Sequence, residues 1–266
     1  METAKEITTP ASQTGYAPIN GLKMYYEIHG EGKPLVLIHG GGSTIQTSFA
    51  TILPLLAKDY KVIAVEMQAH GHTSDREGPE TFEQDANDIA ALLQYLKIDK
   101  ANIFGFSNGG HTTIQLAIHH PEKVNKIIIT SAFYSREGAL PGFFEGMNNA
   151  SLENMPAYLK DAFLQINNDA AALNRMFELD RDRMIAFKGW TDEEVSSIKA
   201  PTLILLGDKD VVTPAHAGKM QSLIQNSELM ILPGNHGSFI GEGLSAKTAG
   251  KMPELTVELI KEFLNK

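Results

Sequence analysis

A serine between two glycines, an aspartate and a histidine each stand just past an apolar run. Ser107 sits in Gly105-Phe106-Ser107-Asn108-Gly109. The β-prone run Ala101–Phe106 precedes it. The segment from Asn108 to His120 follows, with Ile114, Ala117 and Ile118 at helical spacing and a stop at Pro121. A strand that turns through small residues into a helix projects the side chain at its apex, and the helix brings free N–H groups and its positive end to the same place. A hydroxyl there is placed to attack a carbonyl, with amides where negative charge would develop. Three fixed positions of such common residues arise by chance in roughly one chain of this length in ten, so the motif needs partners.

A serine hydroxyl is a weak nucleophile near neutral pH. It needs a base, and the base needs a group to hold it. In a parallel sheet such side chains gather where strands end at the carboxyl edge. Asp210 follows the apolar run Leu203–Leu206, and His236 follows Leu229–Leu232. Asp208, nearer its strand, is the rival acid. The corner His39-Gly40-Gly41-Gly42, after Leu35–Ile38, leaves backbone N–H groups exposed. Gly41 is the candidate donor there, opposite the amide of Asn108. No Gly-Lys-Ser/Thr follows, which sets a phosphate loop aside. His70 and His72 lack a nearby third ligand and read as part of a structural loop rather than a metal site.

The elements that must carry these residues alternate along most of the chain. Tyr16–Ile19 and Leu22–His29 read as a hairpin about Asn20-Gly21. Buried strands are expected at Leu35–Ile38, Val62–Val65, Ala101–Phe106 and Val124–Thr130, and helices at Phe49–Ala57, interrupted near Pro54, and at Thr81–Leu96. From Phe133 to Ile198 the alternation stops. That stretch reads as several short helices broken at Pro141, Gly146, Pro156 and Gly189, and its Met and Phe residues could line an adaptable apolar pocket. Alternation resumes at Pro201 and closes with a helix over Pro253–Leu264. The fold class is therefore α/β: a mostly parallel sheet covered by helices on both faces, with a helical insertion. The expected division is a core of residues 15–132 and 199–266, a cap of residues 133–198, and a flexible start over residues 1–14.

The 266 residues carry 23 basic and 32 acidic side chains, a net charge of −9, so there is no basic footprint for nucleic acid. Cysteine is absent, which excludes disulfides, thiolate metal sites and a cysteine nucleophile. No run reaches the length of a membrane span. Met1-Glu2-Thr3-Ala4-Lys5 lacks an apolar segment and is not a signal peptide as written. The expected location is cytoplasmic; periplasmic or secreted is the alternative if a signal has been removed.

The order Ser…Asp…His, with His39-Gly40-Gly41-Gly42 and Gly105-Phe106-Ser107-Asn108-Gly109, resembles the α/β-hydrolase superfamily. The resemblance runs from the Asn20-Gly21 hairpin to the last helix, and the insertion falls where that superfamily carries its cap. It implies Ser107 as nucleophile, His236 as general base and then acid, Asp210 as the carboxylate orienting His236, and the amides of Gly41 and Asn108 as an oxyanion hole. Family spacing after Gly207 favours Asp210 over Asp208. His39 matches a structural His-Gly pair, while His111, His119 and His120 lie on the helix after the nucleophile and His29 lies before the first core strand. Two departures touch the rim of the site: Ala69-His70-Gly71-His72-Thr73-Ser74 replaces an Arg-Gly-x-Gly-x-Ser loop, and Asn235 stands where relatives often have glycine. The implied activity is cofactor-free and metal-free hydrolysis of a small, apolar carboxylic ester or lactone. The alternatives are C–C bond hydrolysis or acyl transfer on the same triad, or a ligand receptor with little turnover.

Overall fold

Continuous runs of β-branched and leucine residues become central strands because both sheet faces are covered. The computed structural model describes residues 13–246 and 248–266. The chain opens with β1 (Gln13–Ile19), β2 (Leu22–His29) and β3 (Lys33–Ile38), then α1 (Ile45–Phe49), α2 (Leu53–Leu56), β4 (Tyr60–Val65) and α3 (Phe82–Tyr95). Next come β5 (Ala101–Phe106), α4 (Asn108–His119) and β6 (Val124–Thr130). Four helices lie between β6 and the next strand: α5 (Phe143–Asn148), α6 (Ala157–Ile166), α7 (Ala170–Ala186) and α8 (Asp192–Ser196). The chain ends with β7 (Thr202–Lys209), α9 (Pro214–Leu223), β8 (Ser227–Asn235) and α10 (Met252–Asn265).

The eight strands form one sheet in the order β1-β2-β4-β3-β5-β6-β7-β8. The first two pairings, β1 with β2 and β2 with β4, are antiparallel; the remainder are parallel. Alternate residues of each strand feed opposite cores. Val36, Ile38, Ile103 and Ile129 pack with Leu92 of α3 and Ile114 of α4. Leu35, Leu37, Phe104 and Ile128 face the other way, toward Phe49 of α1 and Ile260 of α10. The segment between β6 and β7 supplies most of a third cluster, including Met155, Phe163, Leu173 and Met176, which Ala69 of the loop after β4 joins. Among the described residues no helix is long and apolar enough to cross a membrane.

Several element boundaries differ from the sequence reading. Residues 1–12 lie outside the described part of the chain, but Gln13 and Thr14, read as part of a flexible start, pair with Ile28 and Glu27 in the hairpin. The helix expected over Phe49–Ala57 with an interruption near Pro54 is two short ones, and the break falls before Pro54. Thr44 and Thr47 form a reciprocal cap that starts α1 early, and Pro54 sits in the first turn of α2. Gly146 lies within α5 rather than breaking it, and α7 runs for 17 residues. Strands β7 and β8 continue past Leu206 and Leu232 because Lys209 pairs with Asn235 across a register shift.

The turn from β5 into α4 is the tightest packing point. A Cβ at Gly105 would lie 1.9 Å from the Gly109 carbonyl oxygen, and one at Gly109 would lie 2.1 Å from that of Ile38. Substituting Gly105→Ala should therefore destabilise the protein by about 2–3 kcal/mol, as overpacking does, read as a lowered midpoint in urea unfolding. A midpoint equal to wild type would show that this contact is not under steric constraint.

Candidate active site

Ser107 caps α4 at φ 55° and ψ −118°, a conformation that L residues rarely adopt and that the surroundings must hold. Its amide donates to the Thr130 carbonyl of β6 at 2.8 Å, and the next glycine amide, Gly109, donates to the His39 carbonyl at 3.1 Å. The turn is thus tied to both neighbouring strands.

The structure brings Ser107, Asp210 and His236 into one hydrogen-bonded line. His236 Nδ1 lies 2.7 Å from Asp210 Oδ1, and its Nε2 lies 3.1 Å from Ser107 Oγ. Asp210 is buried and also accepts from Ser131 Oγ at 2.5 Å, from the Gly207 amide at 3.1 Å and from the Val211 amide at 2.7 Å. Burial alone would raise its pKa, but His236, Ser131 and the Gly207 amide outweigh that and hold it below the ordinary carboxylate value. An ionised Asp210 accepts the Nδ1 proton, which leaves the Nε2 lone pair aimed at the serine hydroxyl. Asp208 is engaged elsewhere: its Oδ1 accepts the Gly234 amide at 2.7 Å and it is exposed.

A cavity of about 240 Å³ opens over Ser107, Asn108, Gly41 and Gly42. Its other walls are mainly apolar and include Phe143, Met147, Met155 and Phe177 from the helices between β6 and β7. Asp180 of α7 is the charged group in the wall. Among the described residues, no protein acceptor takes the amide of Gly41 or that of Asn108. Both are available to a ligand oxygen above Ser107.

Behind the cavity lies a buried ionic cluster that the sequence reading missed. Asp180 accepts from the Gly42 amide at 2.5 Å, from His70 Nε2 at 2.9 Å and from Asn108 Nδ2 at 3.0 Å, and it pairs with Arg183 one turn along. Arg183 also meets Asp85 at 2.6 Å and Glu80 at 3.0 Å. Burial raises Glu80 to about 8, although Arg183 beside it works to lower it. Burial works to lower His70, yet Asp180 beside it raises it to about 9. His72 pairs with Glu66 at 2.9 Å. The two histidines of this loop thus face separate carboxylates. Among the described residues no group of three His, Asp or Glu side chains is arranged to hold a metal ion.

Other histidines act as braces. His39 accepts the Met67 amide through Nε2 at 3.0 Å, joining the ends of β3 and β4, and burial lowers it to about 3. His111 places Nδ1 3.0 Å from the Ser107 carbonyl oxygen and stacks on Phe82. Ser131, His111, Asp180 and Arg183 were not singled out for these roles. Ser131 follows a strand end directly and could have been found by the rule that located Asp210. Asp180 and Arg183 carry no such local signal.

A family model described as the alpha/beta hydrolase fold matches residues 33–157. With the sheet order and the structural neighbours, this shows that the chain has the α/β-hydrolase fold. The human serine hydrolase BPHL is 29% identical over 242 residues, 82% of this chain and 78% of that protein. The 2-hydroxy-6-oxo-6-(2'-aminophenyl)hexa-2,4-dienoic acid hydrolase of Metapseudomonas resinovorans is 26% identical over 236 residues, 80% of each chain. The crystal structure of a serine hydrolase involved in carbazole degradation shares the fold at a TM-score of 0.77 and 24% identity, covering 95% of this chain and 98% of that one.

The His70–Asp180 pair has a readable pH signature. Its folded-state pKa is raised from 6.5 to about 9. Its contribution is therefore fully present below about pH 6.5 and is lost as pH rises through 9, because the unfolded chain releases the proton first. Glu80, also raised, acts in the same direction over a lower range. Between about pH 6.5 and 9.5 wild type should lose about 1–3 kcal/mol more stability than His70→Gln, measured by denaturant titration at each pH. Parallel profiles for the two proteins would contradict this assignment.

Proposed function

We propose that this chain is a serine hydrolase that cleaves a small carboxylic ester or lactone through an acyl-enzyme. The observation that carries the reading is the pair of contacts on His236, 3.1 Å to Ser107 Oγ and 2.7 Å to Asp210, beside two amides free to meet an oxyanion. Ser107 Oγ attacks the carbonyl carbon while His236 Nε2 takes its proton. The carbonyl oxygen becomes an alkoxide held by the amides of Gly41 and Asn108. Collapse expels the alkoxy group, which receives the proton from His236, and leaves Ser107 acylated. Water then repeats the sequence, giving up a proton to His236, and the acid departs with Ser107 restored. These steps draw on the side chains and backbone amides of this chain alone.

The apolar wall supports a small, largely apolar acyl or alkyl group. That wall comes from residues 133–198, which supports treating them as a cap on a core of residues 15–132 and 199–266. The similarity to a dienoic acid hydrolase favours one second reading, C–C cleavage on the same residues, in which the leaving group is carbon rather than oxygen.

A panel of short esters, lactones and vinylogous 1,5-diketones, followed by steady-state kinetics and product analysis, tests both readings. The expected result is turnover of an ester or lactone that falls by at least about 10⁴-fold in Ser107→Ala and about 10³–10⁴-fold in Asp210→Asn. Turnover of the diketones alone would move the assignment to C–C cleavage. A product burst with no turnover would move it to a ligand receptor.

A further inference from the structure

We propose that Asp180 clamps the two backbone segments carrying the Gly41 and Asn108 amides, so that the segment between β6 and β7 completes the oxyanion hole. This rests on the serine hydrolase reading for its catalytic consequence, though not for the clamp itself.

Asp180 faces the cavity, which invites a role in binding a cationic substrate. Its hydrogen-bonding capacity argues otherwise. Oδ1 accepts from Asn108 Nδ2 and Arg183, and Oδ2 accepts from the Gly42 amide and His70 Nε2. A carboxylate has about four lone-pair sites, and these four donors fill them. Arg183 also neutralises its charge at close range. Nor is Asp180 a second base, since the hydrogen bond of Ser107 Oγ runs to His236.

What remains is a positioning role. The Gly42 amide, next to Gly41, is fixed on Oδ2 at 2.5 Å. The Asn108 side chain is fixed on Oδ1 at 3.0 Å, and its own backbone amide is the other proposed donor. Loop, side chain and carboxylate pack tightly: a Cβ at Gly41 would lie 2.4 Å from Asn108 Nδ2 and 3.1 Å from Asp180 Oδ2. The clamp spans 138 positions to Gly42 and 72 to Asn108, so it exists only while α7 is seated. Arg183 seats α7 against Asp85 of α3, and His70 closes the cluster from the loop after β4. Oxyanion donors must lie about 2.7–3.1 Å from the developing charge. Releasing the clamp would let both drift while leaving the Ser107–His236–Asp210 contacts intact.

The test compares wild type with Asp180→Asn and Asn108→Ala, the second removing one arm of the clamp without unpairing a buried charge. Amide hydrogen exchange is followed by NMR at Gly42 and Gly109, with β3, β5 and β6 as internal controls. Kinetics on an accepted ester and inhibition by a boronic acid, which forms a tetrahedral adduct on serine, run alongside. Asp180→Asn should speed exchange at both glycines, lower kcat by about 10–100-fold, part of what loss of a donor costs, and leave KM within about threefold. The boronate should weaken in proportion to kcat. Asn108→Ala should loosen Gly109 and leave Gly42 protected. A folded Asp180→Asn with wild-type exchange at both glycines would overturn the clamp, as would faster exchange with unchanged kcat and boronate affinity. Faster exchange in a protein whose wild type turns over no ester or lactone would support the clamp and remove the hydrolase reading.

Discussion

The rest of the structure depends on one close approach. Helix α4 begins so near β3 and β5 that Gly109 rests on the Ile38 carbonyl and Gly105 rests on Gly109. Neither position has space for a Cβ. That contact forces Ser107 to φ 55° and lifts its side chain clear of the sheet edge. It also aims the first amide of α4 across the same space. The strained residue is over-determined by its bond to Thr130 of β6 and by the Gly109 bond to His39 just past β3. A looser turn would lose the serine's orientation and the helix amide together.

Two buried carboxylates then organise the space around the turn by the same physical device. Each is surrounded by donors that compensate for its burial. Asp210 gathers His236, Ser131 and the amides of Gly207 and Val211, all from the carboxyl edge of the sheet or just beyond it. Asp180 gathers Gly42, His70, Asn108 and Arg183 from four separated parts of the chain. The first carboxylate orients an imidazole. The second joins a loop of the sheet edge to the helices that wall the cavity. An isolated buried carboxylate would take up a proton; both are instead held below the ordinary value by their donors.

Much of this was legible in the sequence because strands covered on both faces announce themselves as unbroken apolar runs. Their ends then point to Ser107, Asp210 and His236, which the structure brings into hydrogen-bonding reach of one another. Choosing Asp210 over Asp208 needed the family spacing, since both follow the same strand closely; the structure separates them by giving Asp208 to the Gly234 amide. The helical insertion was legible as a loss of alternation but not in its internal layout, where Gly146 lies inside α5 and residues 167–169 separate α6 from α7 with no proline or glycine to mark the break. Asp180 and Arg183 look in sequence like ordinary charges on an exposed helix. Only the docking of α7 turns them inward, against residues as far as 138 positions away. His70 was read as structural from the lack of a third metal ligand; its actual partner, 110 positions on, could not be read locally.

The central claim is that the contacts on His236 make Ser107 nucleophilic. Intact-protein and peptide mass spectrometry after brief exposure to a fluorophosphonate measures this directly, because such reagents phosphonylate a serine only when its hydroxyl is activated. The account predicts a single adduct that maps to Ser107, forms slowly or not at all in His236→Ala, and is absent in Ser107→Ala. A folded wild type that stays unlabelled, or labels equally well without His236, would contradict it.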